Sequence, residues 1–148
     1  MSNINVFTIG FTKKNAETFF RKLEKDGVKK IIDIRLNNTS QLAGFAKKDD
    51  LVYFLKELCN CGYRHEPLLA PTKDILDGYK KKKIDWSEYE KRFKDLLKER
   101  NAHTLVSSSE LHKACLLCSE PTPEKCHRRL VAEYLKSHLK NIKILHLL

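Results

Sequence analysis

Short apolar runs alternate along the chain with segments whose apolar residues recur at helical spacing, and this alternation limits the fold more than any other feature. "NVFTIG" predicts a strand over residues 5–9, "VKKIIDIRL" one over 29–35, "YRHEPLL" a third, "KACLLC" a fourth and "IKILHLL" a terminal fifth. Between them, Asn15 to Lys25 carries Phe19, Phe20 and Leu23 in helical phase, and Asp49 to Cys61 carries Leu51, Phe54, Leu55 and Leu58. Residues 73–82 suit a short helix, and Trp86 to Arg100 a longer one with Trp86, Tyr89, Phe93, Leu96 and Leu97 in phase. Residues 101–111 fit neither period, and "NNTSQLAGF" reads as a loop. Pro123 to His138 predicts the last helix, with Thr122 as N-cap and Pro123 at the first helical position. Strands separated by helices predict an α/β fold, a three-layer sandwich around a mostly parallel sheet of about five strands, in one domain spanning 1–148.

A chain of 148 residues with 41% hydrophobic and 32% charged residues can bury a full core. No apolar run is long enough to span a bilayer, and "MSNINVFTIG" lacks the basic and apolar regions of a signal peptide. The expectation is a cytoplasmic protein without a membrane partner, its five cysteines serving as free thiols, metal ligands or a reactive thiol and not as a disulfide framework. A net charge of +10 favours phosphate-bearing partners, a small molecule or a nucleic acid, although lysine runs such as "YKKKKIDW" also suit a solvated surface.

Parallel sheets place ligands beyond the carboxyl ends of their strands. The polar groups expected there are Asp33 and Arg35 on the second strand, His65 and Glu66 on the third, and Cys118 to Glu120 on the fourth. Asp33 and Arg35 alternate with Ile32 and Ile34, so both charges face the same way and need partners. Glu120, between an apolar strand and a helix start, reads as a buried carboxylate paired by Arg35 or Arg128.

Cys115 and Cys118 have the spacing of a zinc motif, with Cys126 and His127 downstream. Inside a strand, however, positions three apart face opposite ways, so these two cysteines cannot share an ion. A site on Cys118, Cys126 and His127 alone stays open; the residues imply no cofactor, and no metal is assigned. Stepping back four residues from Leu130 and Val131 puts Cys126 and His127 on the inward face of the last helix, flanked by Arg128 and Arg129. A thiol, an imidazole and arginines at a helix N-terminus suggest an anion pocket.

The combined signature resembles the domain-of-unknown-function 488 family. "FTIGF" is similar to its opening strand motif, which usually ends in Gly-His, with Phe11 in place of the histidine. "IIDIR" resembles its Asp-x-Arg strand, "NNTSQLAGF" its loop with Ser40 and Phe45, and "YRHEPLL" its Tyr-x-His segment with Tyr63 and His65. "LLCSE" and "CHRRL" resemble its most specific signature, matching Cys118, Glu120, Cys126, His127 and Arg128, and His146 resembles a histidine of its last strand. The resemblance implies an α/β sandwich and no settled reaction; any mechanism that uses the replaced histidine would be lost with Phe11. A topological likeness to rhodanese-type sulfurtransferases is weaker, because Pro121 and Pro123 remove two of the N–H donors that a sulfur cradle needs. A phosphatase-like Cys-x5-Arg also fails, since Glu124 and Ala132 stand where the arginine would.

The resulting expectation is a phosphate-bearing substrate held by Arg35, Arg128, Cys126, Tyr63 and Ser40. Asp33, Glu120, His65 and His127 are the candidate acid–base groups, and Cys118 is the candidate thiol. The alternatives are a non-catalytic nucleic-acid-binding module and a thiol-based sulfur or redox protein.

Overall fold

The computed structural model describes residues 3–37, 44–120 and 123–148. Five strands, β1 (Ile4–Gly10), β2 (Lys30–Asp33), β3 (Gly62–His65), β4 (Ala114–Cys118) and β5 (Ile142–His146), form one sheet in the order β3-β2-β4-β1-β5, with every pairing parallel. The helices are α1 (Ala16–Lys25), α2 (Lys48–Cys59), α3 (Lys73–Lys80), α4 (Trp86–Glu99), α5 (Ser108–Leu111) and α6 (His127–His138).

Strand alternation sorts the core into two layers. Phe7, Ile9, Ile31, Cys115 and Leu117 pack against Phe19, Phe20 and Leu23 of α1 and Leu51 and Leu55 of α2. Val6, Ile32, Ile34, Leu116 and Cys118 face the other way, against Tyr89, Phe93 and Leu97 of α4 and Leu130, Val131 and Leu135 of α6. Cys115 and Cys118 therefore lie on opposite faces, as the period of two requires. No helix among the described residues is long and apolar enough to cross a membrane.

Local chemistry explains most boundaries. The Asn15 side chain accepts from the N–H of Thr18 at the start of α1, and Asp85 accepts from that of Glu88 at the start of α4. The segment 101–111, which fits neither period, holds a 3-10 turn at Ala102–Thr104 and the single turn of α5, started by a Ser107/Glu110 capping box. Leu58, in phase with the apolar face of α2, is 52% exposed beside a shallow groove between α1 and α2.

The last helix begins later than its pattern predicts. Pro123 opens a turn closed by the N–H of Cys126 on its carbonyl, and Cys126 itself is extended (φ −137°, ψ 140°). This extended residue separates the turn from the helix, so Cys126 is the N-cap of α6 and His127 its first residue. Thr122, expected as N-cap, lies outside the described residues, as does Ser40.

Gly10 ends β1 where the β4–α6 connection crosses it. A Cβ there would lie 1.6 Å from the Glu120 carbonyl oxygen and 2.7 Å from Nη1 of Arg128. The first neighbour is backbone, so the loop itself would have to move. Gly10→Ala should cost about 1–3 kcal/mol, the scale of an overpacked interior, read as a lowered urea midpoint at unchanged slope. A neutral result would mean that the loop gives way freely.

Candidate functional site: a cleft between β2 and β4

β2 and β4 are neighbours, but the connections that follow them diverge. From β2 the chain runs through α2, on one face, outward to β3; from β4 it runs through α6, on the other face, outward past β1 to β5. Divergence of this kind opens a crevice beyond the strand ends. A cleft of about 1120 Å³ lies there, lined by Arg35 and Leu36 after β2, Ser119 and Glu120 after β4, Cys126 and His127 at the start of α6, and a wall from α3 and α4.

Arg35 is held rigidly at the cleft. Its Nε and Nη2 donate to the two carboxylate oxygens of Asp33 at 2.8 and 2.7 Å, and the guanidinium carbon sits 5.4 Å from the centroid of Phe11. Asp33 also accepts from the Arg35 N–H at 3.2 Å and from the Tyr63 hydroxyl at 2.6 Å. The fully buried Asp33 does not line the cleft, and these four contacts occupy its acceptor positions. It orients Arg35, leaving the arginine as what this strand presents. The ring of Phe11, at the position of the expected histidine, supports the guanidinium from below. Nη1 of Arg35 is buried with no hydrogen-bond partner.

The histidines fasten the same backbone. Nε2 of His65 donates to the Arg35 carbonyl at 2.8 Å, and Nε2 of His127 to the Ile34 carbonyl at 2.7 Å. His65 and Tyr63 thus support Arg35 from β3 without lining the cleft, whereas His127 lines it. Burial, with a smaller push from Arg128, pulls the His127 pKa down to about 4, against the opposing effect of its bond to Ile34.

Glu120 and Arg128 depart from the expected ion pair. The Glu120 side chain is exposed, because the chain leaves the sheet after Cys118. Arg128 is instead fully buried and does not line the cleft. Its Nη1 donates to the Glu120 carbonyl and, at 3.4 Å, to Sγ of Cys118; its Nε donates to Oγ1 of Thr8 at 3.2 Å. That hydroxyl also shares a hydrogen bond with Nδ1 of His146 at 2.6 Å. Cys118 and Cys126 are paired as a disulfide across a Cα separation of 7.6 Å, which departs from the expectation of unpaired cysteines. The tertiary contact that brings the two sulfurs together, the first turn of α6 folded back on the end of β4, is absent from any local pattern.

The family model described as "Domain of unknown function DUF488" matches residues 15–135. The chain belongs to this family. No curated protein and no solved structure matches it. In this DUF488 chain, the Asp-x-Arg strand and the two cysteine segments therefore meet at one edge of the sheet.

The α3–α4 wall was hidden in "YKKKKIDW". Lys80, Lys82 and Lys83 line the cleft beside Tyr79, Trp86 and Tyr89, with Trp86 stacked on Tyr89 at 4.8 Å. The signal was present as aromatic residues bracketing the lysines, but a lysine run reads equally well as a solvated face.

Because Arg128 meets the Glu120 carbonyl and not the carboxylate, Arg128→Ala should destabilise the fold by about 3 kcal/mol, the scale of two charged hydrogen bonds, and Glu120→Gln should not restore it. Rescue in the double variant would show a carboxylate pairing after all.

His127 gives a separate acid signature. The folded protein resists a proton that the unfolded chain accepts near 6.5. The stability that it contributes is complete above that value and declines as pH falls toward about 4. Unfolding free energies measured across this range should flatten in His127→Gln, which keeps a donor for Ile34. An unchanged slope would show that His127 titrates normally.

Proposed function

We propose that the protein binds a phosphate-bearing ligand, a nucleotide or a nucleic-acid segment, in the cleft between β2 and β4. The observation that carries this reading is Arg35. This cation lines the cleft, is 3% exposed, is held through two nitrogens by Asp33 and underlaid by Phe11, and keeps its third nitrogen without a partner. A buried donor left unmade is costly unless an acceptor completes it, and a phosphate oxygen is such an acceptor.

Two features support the same ligand class. The cleft lining carries six cationic side chains (Arg35, Lys73, Lys80, Lys82, Lys83 and Lys125) against three acidic ones (Asp77, Asp85 and Glu120). The aromatic wall of Tyr79 and Trp86 offers π-faces on which a base can stack. Glu120, exposed at the rim, is the group placed to move a proton at a bound ligand. Binding alone, without chemistry, uses the same surface and predicts that Glu120→Gln leaves affinity intact. The thiol reading draws on one observation of its own, the paired sulfurs of Cys118 and Cys126 with Arg128 donating to one of them.

The chain has a single tryptophan, Trp86, at the cleft, so its fluorescence reports occupancy directly. Titration with inorganic phosphate, sugar phosphates, nucleotides and short single-stranded DNA and RNA should quench or shift it for at least one class, more weakly at high salt. Arg35→Lys should weaken that ligand by roughly 10- to 150-fold, the loss of a charged hydrogen bond worth about 1.5–3 kcal/mol. Arg35→Met combined with Asp33→Asn gives the same loss without stranding a buried carboxylate. Wild-type affinity in both variants, or no response to any ligand of the panel, would overturn the proposal.

A further inference from the structure

The ligand atoms of Cys118, Cys126 and His127 lie within 4.8 Å of one another, and no other such group of three occurs among the described residues. The three come from two rigid places, the last residue of β4 and the first two positions at the start of α6. His127 donates from Nε2 to the Ile34 carbonyl, which fixes the tautomer and leaves the lone pair on Nδ1. A backbone carbonyl on the far nitrogen is the support that metal-bound histidines ordinarily have. Cys118 receives an N–H from Arg128, the kind of outer contact that holds a ligating sulfur. The Cα atoms of the two cysteines are 7.6 Å apart, wider than the roughly 4.4–6.8 Å that disulfides span. An ion bonded to both sulfurs at about 2.3 Å holds them roughly 3.8 Å apart, which suits that wider backbone.

We propose that Cys118, Cys126 and His127 form a three-ligand site for a zinc-class divalent ion, with its open coordination position facing the cleft. Two sulfurs and an imidazole are a donor set for zinc, and three protein ligands with an open fourth place are the pattern of a reactive site. Cys126 and His127 both line the cleft, as does Arg35, so a water or a ligand oxygen reaches the fourth position from there. Cys115 takes no part, because it lies on the opposite face of the sheet. From the disulfide-paired state, a two-electron reduction by a dithiol or phosphine first breaks the S–S bond and returns two thiols. Metal binding then breaks two S–H bonds and forms two metal–sulfur bonds, releasing up to two protons to solvent. The site does not depend on the phosphate reading, since the ion alone tests it.

The experiment uses the full chain, reduced with a phosphine and stripped of metal, titrated with Co2+ and then with Zn2+. One equivalent of Co2+ should bring a sulfur-to-cobalt charge-transfer band and the intense visible absorption of four-coordinate cobalt, both removed by Zn2+. Cys126→Ser is the main variant, because serine caps a helix well and the fold should persist by circular dichroism. It should lose the charge-transfer intensity of one sulfur and bind Zn2+ about 100-fold more weakly, at or beyond the upper end of outer-contact losses. His127→Gln should weaken binding similarly while keeping both sulfur contributions, and Cys115→Ala should change nothing. Absence of the bands in the reduced protein, or their persistence at full strength in Cys126→Ser, would overturn the proposal. So would their loss in Cys115→Ala. If the reduced protein binds no ion yet re-forms the Cys118–Cys126 bond in air, the pair is a redox couple and the metal site is refuted.

Discussion

The guanidinium of Arg128, buried at the start of α6, donates to three acceptors on two separate stretches of chain: the Thr8 hydroxyl on β1, and the Cys118 sulfur at the end of β4 with the Glu120 carbonyl just beyond it. Burying a cation costs several kcal/mol unless its donors are engaged. Those contacts offset the cost only while β1, β4 and the following loop keep their relative positions. Gly10 belongs to the same arrangement, since its missing side chain is what lets the Glu120 carbonyl come down onto β1. The way the chain turns from β4 into α6 follows from this contact, and with it the placement of Cys126 and His127.

On the far side of the cleft, Arg35 plays a different part with similar means. Its charge is compensated by Asp33, which Tyr63 also holds, and its backbone carbonyl is tied down by His65. Three residues from two strands thus fix one guanidinium, whose Nη1 keeps no hydrogen-bond partner. Each guanidinium keeps one buried nitrogen without a partner, Nη1 of Arg35 and Nη2 of Arg128, but of the two only Arg35 lines the cleft. The difference lies in the direction in which each strand's connection leaves the sheet.

The fold was largely legible. Alternating apolar runs and helical phases located all five strands and the longer helices, because burial on both faces of a parallel sheet leaves a strong periodic trace. The start of α6 departs from its pattern because Pro123 and Thr122 look like a helix entrance, whereas extended backbone at Cys126 postpones it. At the site, Asp33, Arg35, Cys126 and His127 were singled out from position alone. Their division of labour was not, since strand position says which residues share an edge and nothing about which acceptor each donor finds. The lysine and aromatic wall went unrecognised because charge runs on exposed helices carry no mark of what they face.

By itself the sequence determined the layers, the faces of the strands and the exclusion of Cys115 from any site with Cys118. These depend on the period of two along a strand, a local property of the backbone. Only the tertiary structure decided the strand order, and hence that β2 and β4 lie side by side with diverging connections. It also decided that Arg128 meets a carbonyl and not a carboxylate, and that two sulfurs and an imidazole come together. Such contacts join residues distant in sequence, and their geometry depends on how whole elements pack, which no local pattern encodes.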